Sequence, residues 1–299
     1  MAFDTHGRIK CGTISTPDLD AALADYRDLL GLELAEQGAV PADLAASWGA
    51  PASAGQRFAL LQPASGVPSF LRLVEAPFHP DFTPTRSFGW AAFEITVQDV
   101  HGLAERVAGS GFEIVGPPKP IPGLPYFVAM QALGRGREMV YFNEVAMDTP
   151  SSNLPKARSP VDHIFIVILA TPDRHATVTS LRDRLRLDEG GSYTLNYTMI
   201  NKAFGLADGT QSTITMIQKG RLPIVEVDGY PDAATPRPRH AGILPPGNAM
   251  VSLAVDDLDA LALDFIAPPI ARNGPLYAGQ RTATLIGSAG ELIELIELT

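Results

Sequence analysis

The chain repeats itself, and this repetition constrains its fold more than any other feature of the sequence. Residues 16–34 (TPDLDAALADYRDLLGLEL) match residues 171–189 (TPDRHATVTSLRDRLRLDE), with Thr-Pro-Asp and Arg-Asp in the same register. In both copies a β-branched run precedes an Asp or Thr suited to cap a helix, and apolar residues follow at helical spacing. Residues 90–107 and residues 249–266 form a second, shorter pair on the same plan. The sequence therefore predicts four related units.

Each unit is predicted to hold one helix and several strands, because further β-like runs follow the helical stretch, such as STITMIQ at residues 212–218. A unit of roughly 75 residues exposes one face of its sheet and is marginal alone. Pairing two units buries that face and leaves a cavity for a ligand. We predict an α+β fold in two similar halves, residues 1–147 and 161–299, joined by the polar, Pro-rich linker 148–160.

Charge and motif content limit the partners. The formal net charge is −10 and no Lys/Arg stripe is present, which argues against nucleic acid and against an anionic membrane surface. The longest strongly apolar run, residues 164–170, is too short to span a bilayer, the N-terminus has no apolar leader, and the lone Cys11 cannot form an intrachain disulfide. Nucleotide-binding motifs are absent. We expect a cytoplasmic protein with a small-molecule substrate and no nucleotide cofactor; a homo-oligomer is compatible with the sequence.

The closing strand raises a question of chemistry. Residues 292–298 (LIELIEL) carry Glu294 among leucines and isoleucines. A carboxylate on an apolar strand is either solvated at an edge or buried and held by a partner such as a metal or a hydrogen-bond donor. The rest of the chain must decide between the two.

Four stretches of the chain resemble the vicinal oxygen chelate superfamily, which includes glyoxalase I, extradiol dioxygenases and bleomycin-resistance proteins. They are residues 18–34, residues 161–167 (VDHIFIV), residues 255–261 (VDDLDAL) and residues 288–295 (SAGELIEL). The resemblance implies four βαβββ modules forming two paired-sheet, glyoxalase-like domains. It also implies a degenerate metal site in the N-terminal domain and the candidate active site in the C-terminal domain.

The resemblance further implies a divalent metal, since metal-dependent members bring side chains from the first and last strands of paired units to one ion. The corresponding positions of the second half are His163, Glu226, Met250 and Glu294. We predict that His163, Glu226 and Glu294 hold Fe, Mn or Zn, and that His163 and Glu294 are catalytic. Met250 is a poor ligand for these metals and is predicted to line the cavity. The first half offers Cys11, Arg72, Ala92 and Tyr141, which cannot assemble such a site.

Further residues are predicted to contact the substrate. Tyr197 lies on an aromatic strand, Asn248 shares a strand face with Met250, and His240 could approach from a loop. The simpler interpretations remain open: His163 as a buried core histidine, and Glu226 as a solvated residue of an edge strand.

The predicted function is a metal-assisted enzyme acting on a small, oxygenated, aromatic or hydrophobic molecule, with dioxygenase, lyase and isomerase activities all open. One alternative is a metal-free binding protein of the bleomycin-resistance type. The other is a metal-free enzyme of the same fold that uses His163 or Tyr141 directly.

Overall fold

The computed structural model describes residues 3–298, in which four modules follow one another. The first module comprises β1 (Ile9–Thr16), α1 (Leu19–Leu23) with a π-helical continuation (Ala24–Leu29), β2 (Leu32–Ala39), α2 (Ala42–Ser47), a 3₁₀ turn (Pro51–Ser53), β3 (Arg57–Pro63) and β4 (Phe70–Glu75). The second comprises β5 (Gly89–Val97), α3 (Val100–Val107), β6 (Glu113–Ile121), β7 (Leu124–Leu133) and β8 (Met139–Val145).

The second half of the chain repeats this order. The third module comprises β9 (Val161–Thr171), α4 (Arg174–Leu185), β10 (Asp188–Asn196), α5 (Thr198–Phe204), β11 (Gln211–Lys219) and β12 (Leu222–Gly229). The fourth comprises β13 (Gly247–Val255), a 3₁₀ turn (Asp259–Leu261), β14 (Ile270–Ala271), β15 (Arg281–Ile286) and β16 (Leu292–Glu297).

An aspartate begins the helical segment of every module. The carboxylates of Asp18, Asp99, Asp173 and Asp257 each accept a hydrogen bond from the backbone N–H three residues further on, which satisfies one of the unpaired donors at a helix start. In the fourth module the helix predicted from the sequence is only the 3₁₀ turn. It stops at Ala262, whose φ of 49° lies in the left-handed region.

The strands form two eight-stranded sheets, and each combines two modules. Sheet I has the order β14-β15-β16-β13-β1-β4-β3-β2 and joins the first module to the fourth. Sheet II has the order β10-β11-β12-β9-β5-β8-β7-β6 and joins the second module to the third. The antiparallel pairs β1–β13 and β5–β9 make the two seams.

This topology corrects the pairing predicted from the sequence, in which adjacent modules formed an N-terminal and a C-terminal half. Residues 148–160 connect β8 to β9 within sheet II and do not link two sheets. Repetition shows how many modules a chain has, but every module offers its neighbours the same kind of strand edge. The choice of partner therefore depends on contacts between distant residues.

The two sheets pack against each other through their central strands. At Gly12 of β1 an added Cβ would lie 2.6 Å from Ile164 Cδ1 and 2.8 Å from Phe93 Cε2, so only glycine permits this approach. Trp90 of β5 donates its indole N–H to the carbonyl of Leu292 in sheet I at 2.8 Å. These contacts fix the sheets relative to one another.

Within residues 3–298, none of the helices combines the length and the apolar character needed to cross a membrane.

Candidate functional site

The four central strands of each sheet hold the candidate side chains at equivalent register positions. In sheet I these strands place Thr13 beside Arg72 and Ser252 beside Glu294. In sheet II they place Ile168 beside Glu226 and Glu94 beside Tyr141. Thr13 and Ile168 also lie opposite Met250 and Ala92 across the two seams. Arg72 of β4 and Glu226 of β12 therefore correspond to each other, as do Glu294 of β16 and Tyr141 of β8.

Glu294 is buried in sheet I and is held by four hydrogen-bond donors. Its carboxylate accepts from the Trp48 indole at 2.9 Å, the Tyr277 hydroxyl at 3.0 Å, the Ser252 hydroxyl at 2.5 Å and the Arg72 guanidinium at 3.3 Å. Burial opposes ionisation, but the Arg72 charge and the hydrogen bonds outweigh it and hold the pKa of Glu294 below its ordinary value. The acid on the closing strand is thus a buried carboxylate whose partner is an arginine.

Arg72 supplies the positive charge of this site. Its Nε donates to the Thr13 hydroxyl at 3.0 Å, its Nη1 donates to the Tyr277 hydroxyl at 2.7 Å, and its Cζ lies 4.5 Å from the centre of the Trp48 ring. Arg72, Trp48 and Tyr277 line a cavity of about 390 Å³, named cavity I. A guanidinium already neutralises Glu294 there, so a divalent cation does not fit this site, because like charges at such distances repel strongly.

Cavity II, of about 350 Å³, lies on sheet II and is built differently. Four of its polar groups, Glu94, Tyr141, Asn143 and Glu226, come from the central strands, and Tyr197 comes from the junction of β10 and α5. Its walls come from both edges of the sheet, including β6, β10 and α5, and are largely apolar through Val115, Pro117, Leu195, Met199 and Ile214. Apolar walls with a few convergent polar groups are typical of small-molecule sites.

The polar groups of cavity II contact one another. The Tyr197 hydroxyl donates to Glu226 Oε1 at 3.3 Å and lies 3.3 Å from the Tyr141 hydroxyl. The Asn143 amide donates to Glu94 Oε2 at 2.5 Å. Two carboxyls, two phenols and an amide therefore face one enclosed space.

The acids of this region lack a compensating cation. Burial raises the pKa of Glu226 to about 7, although hydrogen bonds with Asp228 and Tyr197 oppose this shift. Burial, followed by the charge of Glu226, raises the pKa of Glu94 and of Asp228 well above their ordinary values. Since the charge of Glu226 raises the pKa of Glu94 and of Asp228, ionisation of Glu226 favours the protonated form of the other two acids.

His163 lies apart from both cavities, at the start of β9. Its side chain is buried, Nδ1 lies 3.2 Å from Asp162 Oδ1, and its ring packs edge-on against Phe3 at 5.4 Å. Burial lowers the pKa of His163, although Asp162 opposes the shift. The residue matches the simpler interpretation of a buried core histidine.

The three predicted metal ligands are not brought together. Glu294 belongs to sheet I, Glu226 faces cavity II, and His163 lines neither cavity. Across residues 3–298, no three His, Cys, Asp or Glu side chains are grouped so that they could hold a metal ion. The donor set predicted for a divalent ion thus does not fit one. The pairing of modules places Glu294 in the other sheet, and on β9 His163 lies five residues before Ile168, the neighbour of Glu226.

Of the predicted substrate contacts, Tyr197 lines cavity II and the other three line neither cavity. The Asn248 amide bonds both backbone groups of Met139, accepting at 2.9 Å and donating at 3.1 Å, and so ties the two sheets together. Met250 is fully buried in the cluster that contains Trp48. His240 lies on an exposed loop with its Nε2 3.1 Å from the carbonyl of Phe78.

Sequence reasoning missed Glu94 and Asp228. The signal that singled out Glu294, an acid within an apolar strand, also occurs at Glu94 in β5 (GWAAFEITV). The family resemblance instead assigns the corresponding position to Ala92, two residues earlier on the same strand face.

Comparison with known proteins gives one family match and two structural similarities. Residues 8–137 match the model of the Glyoxalase/Bleomycin resistance protein/Dioxygenase superfamily. The chain is similar in structure to glyoxalase I from Zea mays (18% identity, TM-score 0.62, covering 97% of this chain and 92% of that one). It is also similar to a proposed dioxygenase from Bacillus subtilis subsp. subtilis str. 168 (11% identity, TM-score 0.63, covering 99% and 86%). No curated protein matches the chain. At these identities the structural similarities show the fold alone.

Proposed function

We propose that the chain, whose residues 8–137 match the model of the Glyoxalase/Bleomycin resistance protein/Dioxygenase superfamily, is an enzyme whose reaction takes place in cavity II. The substrate is a small, oxygenated, largely apolar molecule, and Glu226 is the general base. The single observation that carries the proposal is that the Glu226 carboxyl lines cavity II and has a pKa raised to about 7.

The environment of Glu226 suits proton abstraction from carbon. A general base works best when its pKa lies near the operating pH, because it is then both ionised and basic enough to take a proton. The Tyr197 hydroxyl, 3.3 Å from Oε1, orients the carboxylate and keeps its pKa from rising further. Apolar walls exclude water from the reacting atoms.

Glu94 is placed to stabilise the other end of the reaction. Burial and the charge of Glu226 raise the pKa of its carboxyl and so favour the protonated form, which the Asn143 amide orients at 2.5 Å. A protonated carboxyl in an apolar site donates a strong hydrogen bond to an oxygen that gains negative charge. Glu226 would therefore remove a proton from the carbon beside a carbonyl while Glu94 stabilises the enolate oxygen.

The electron balance defines the class of reaction. The C–H bond breaks, its proton moves to Glu226, and its electron pair passes through the new C=C bond to the carbonyl oxygen. Returning the proton to the same carbon gives exchange, and returning it to another carbon gives an isomer. No external oxidant or reductant is needed.

The test is loss of hydrogen from the α-carbon of phenylpyruvate and phenylacetone in D₂O, followed by NMR. Replacing Glu226 by Gln is expected to reduce the exchange rate by about 10²–10⁴-fold, the usual contribution of a general base. The matched control is Glu189→Gln, an exposed acid of the same module. Full exchange in Glu226→Gln, or no exchange of either compound by the wild type, contradicts the proposal.

A divalent metal in cavity II is kept as an alternative, because Glu94 and Glu226 are two acids without a cationic partner. Metal analysis of protein purified without a chelating tag separates the two hypotheses. Stoichiometric Fe, Mn or Zn that disappears in Glu226→Gln supports the alternative. Cytoplasmic location and oligomeric state stay predictions.

Binding without turnover is the second candidate, and it concerns cavity I. All four donors around Glu294 are already committed, and burial raises the pKa of the nearby Cys11 thiol to about 12. A ligand there would meet no free base and no thiolate. Cavity I therefore suits sequestration of a small molecule, the alternative that the superfamily resemblance also implies.

A further inference from the structure

Two lysines stand at the mouth of cavity II, one from each edge of the sheet. Lys119 belongs to the edge strand β6, and Lys202 belongs to α5, which is inserted between β10 and β11. Both side chains are exposed, and both residues line the cavity. The acids of cavity II lie on the central strands, so the cavity is basic at its mouth and acidic at its floor.

Neither ammonium group has an ion-pair or hydrogen-bond partner among residues 3–298. Some surface cations are paired, as in Lys219 with Asp188 and Arg57 with Asp20, and others, such as Lys156, are exposed to solvent. What distinguishes Lys119 and Lys202 is that both line the same cavity. The chain has a formal net charge of −10, so an excess of basic residues does not explain two unpaired lysines beside one cavity. Cations left open at a cavity mouth attract an anion from solution.

We propose that the molecule bound in cavity II carries an anionic group, a carboxylate, phosphate or sulfonate, which Lys119 and Lys202 hold at the mouth. The apolar body of the molecule then lies along Leu195, Met199 and Ile214, and its reactive carbon reaches Glu226. This last point rests on the proposed function; the preference for an anion does not.

The position of the lysines also keeps the anionic group of the bound molecule away from the acids at the floor of cavity II. An anionic group at the floor would face Glu226 and raise its pKa further, because like charges disfavour each other. At the mouth the same group is kept away from the base and is neutralised by the two ammonium groups. The position of the lysines therefore selects the orientation of the molecule as well as its charge.

The test measures binding, with two fluorescent probes that share one ring system. The anionic probe is 8-anilinonaphthalene-1-sulfonate, and N-phenyl-1-naphthylamine is its counterpart without the sulfonate. In the full chain, Lys119→Met/Lys202→Met is expected to weaken the anionic probe about tenfold, the scale of two partly exposed ion pairs, and to leave the neutral probe unchanged. Lys156→Met, an exposed lysine of the segment between β8 and β9, is the control and should change neither affinity.

Two further variants make the result decisive. Leu195→Trp narrows cavity II and is expected to weaken both probes. An anionic probe that keeps its affinity in Leu195→Trp, or equal changes for both probes in the double lysine variant, overturns the proposal.

Displacement of the sulfonate probe by phenylacetate and by phenyl phosphate then distinguishes a carboxylate preference from a phosphate preference. Glu226→Gln should abolish exchange and keep the anion preference, so failure of the proposed function is distinguishable from failure of this inference.

Discussion

Arg72 and Glu226 occupy the same register position in the two sheets, one beside Thr13 and the other beside Ile168. In sheet I this position holds a cation that neutralises Glu294. In sheet II it holds an acid that faces Glu94 and has no cation to pair with. A duplicated scaffold thus carries a satisfied ion pair in one cavity and an unsatisfied, titratable group in the other.

The first prediction concerns the pH dependence of exchange. If Glu226 is the base, kcat/KM should increase with pH and level off above about 7, because only the ionised carboxylate can accept a proton. The measurement is the α-carbon exchange rate of phenylpyruvate between pH 5 and 9. A profile that falls across this range would assign the rate-limiting role to an acid.

A second prediction isolates Tyr197. Its hydrogen bond lowers the pKa of Glu226, so Tyr197→Phe should raise that pKa and move the rising limb of the pH profile to higher pH, with a smaller change at the plateau. Tyr193→Phe, an exposed tyrosine of β10 that does not line cavity II, is the control. An unshifted profile in Tyr197→Phe would show that this phenol does not act on the base.

The third prediction concerns the buried ion pair of sheet I. Arg72→Met leaves Glu294 buried without a cation and should lower the free energy of unfolding by about 3–5 kcal/mol, as for other broken buried pairs. The double variant Arg72→Met/Glu294→Gln should recover part of this loss, because it removes the unpaired charge. Urea denaturation of the wild type, both single variants and the double variant measures the coupling. Additive losses would contradict it.

A fourth prediction links two turn acids to stability. Burial raises the pKa of Glu138 and of Glu291 to about 7, above the unfolded value of roughly 4.3. Between these values the folded state binds more protons at both sites, so the contribution of Glu138 and Glu291 to the free energy of unfolding should fall as pH rises from about 4.5 to about 7 and then level off.

Variants test this fourth prediction directly. Glu138→Gln and Glu291→Gln carry no titrating group, so each should flatten the decline in stability. Glu105→Gln, an exposed acid of α3, should leave the slope unchanged. A wild-type stability that rises with pH over this range would be inconsistent with the raised pKa values.

Local sequence signals predicted much of the fold. The repeats indicated four modules, and Asp18 and Asp173 cap helices as expected. These features depend on neighbouring residues, whose spacing is visible in the sequence. The prediction of a full helix in the fourth module was wrong, because the left-handed backbone conformation at Ala262 ends the turn and apolar periodicity does not reveal it.

The site was harder to predict because it depends on which modules pair. Glu226 and Glu294 were both singled out from the sequence, yet the topology assigns them to different sheets. Once pairing is known, Glu94 replaces Glu294 as the neighbour of Glu226, and Arg72 replaces His163 as the partner of Glu294. The residue types could be recognised in the sequence. Which of these residues meet in one site depends on how strands that are far apart in the chain pair with each other.

The topology also sets the order in which the protein can assemble during synthesis. All strands of sheet II are encoded before residue 230, so that sheet can close before β13 is available. The first module must wait, since its seam partner β13 and the carboxylate that neutralises Arg72 are synthesised after sheet II. Arg72 therefore depends on a counter-ion that reaches it only after three further modules have been translated.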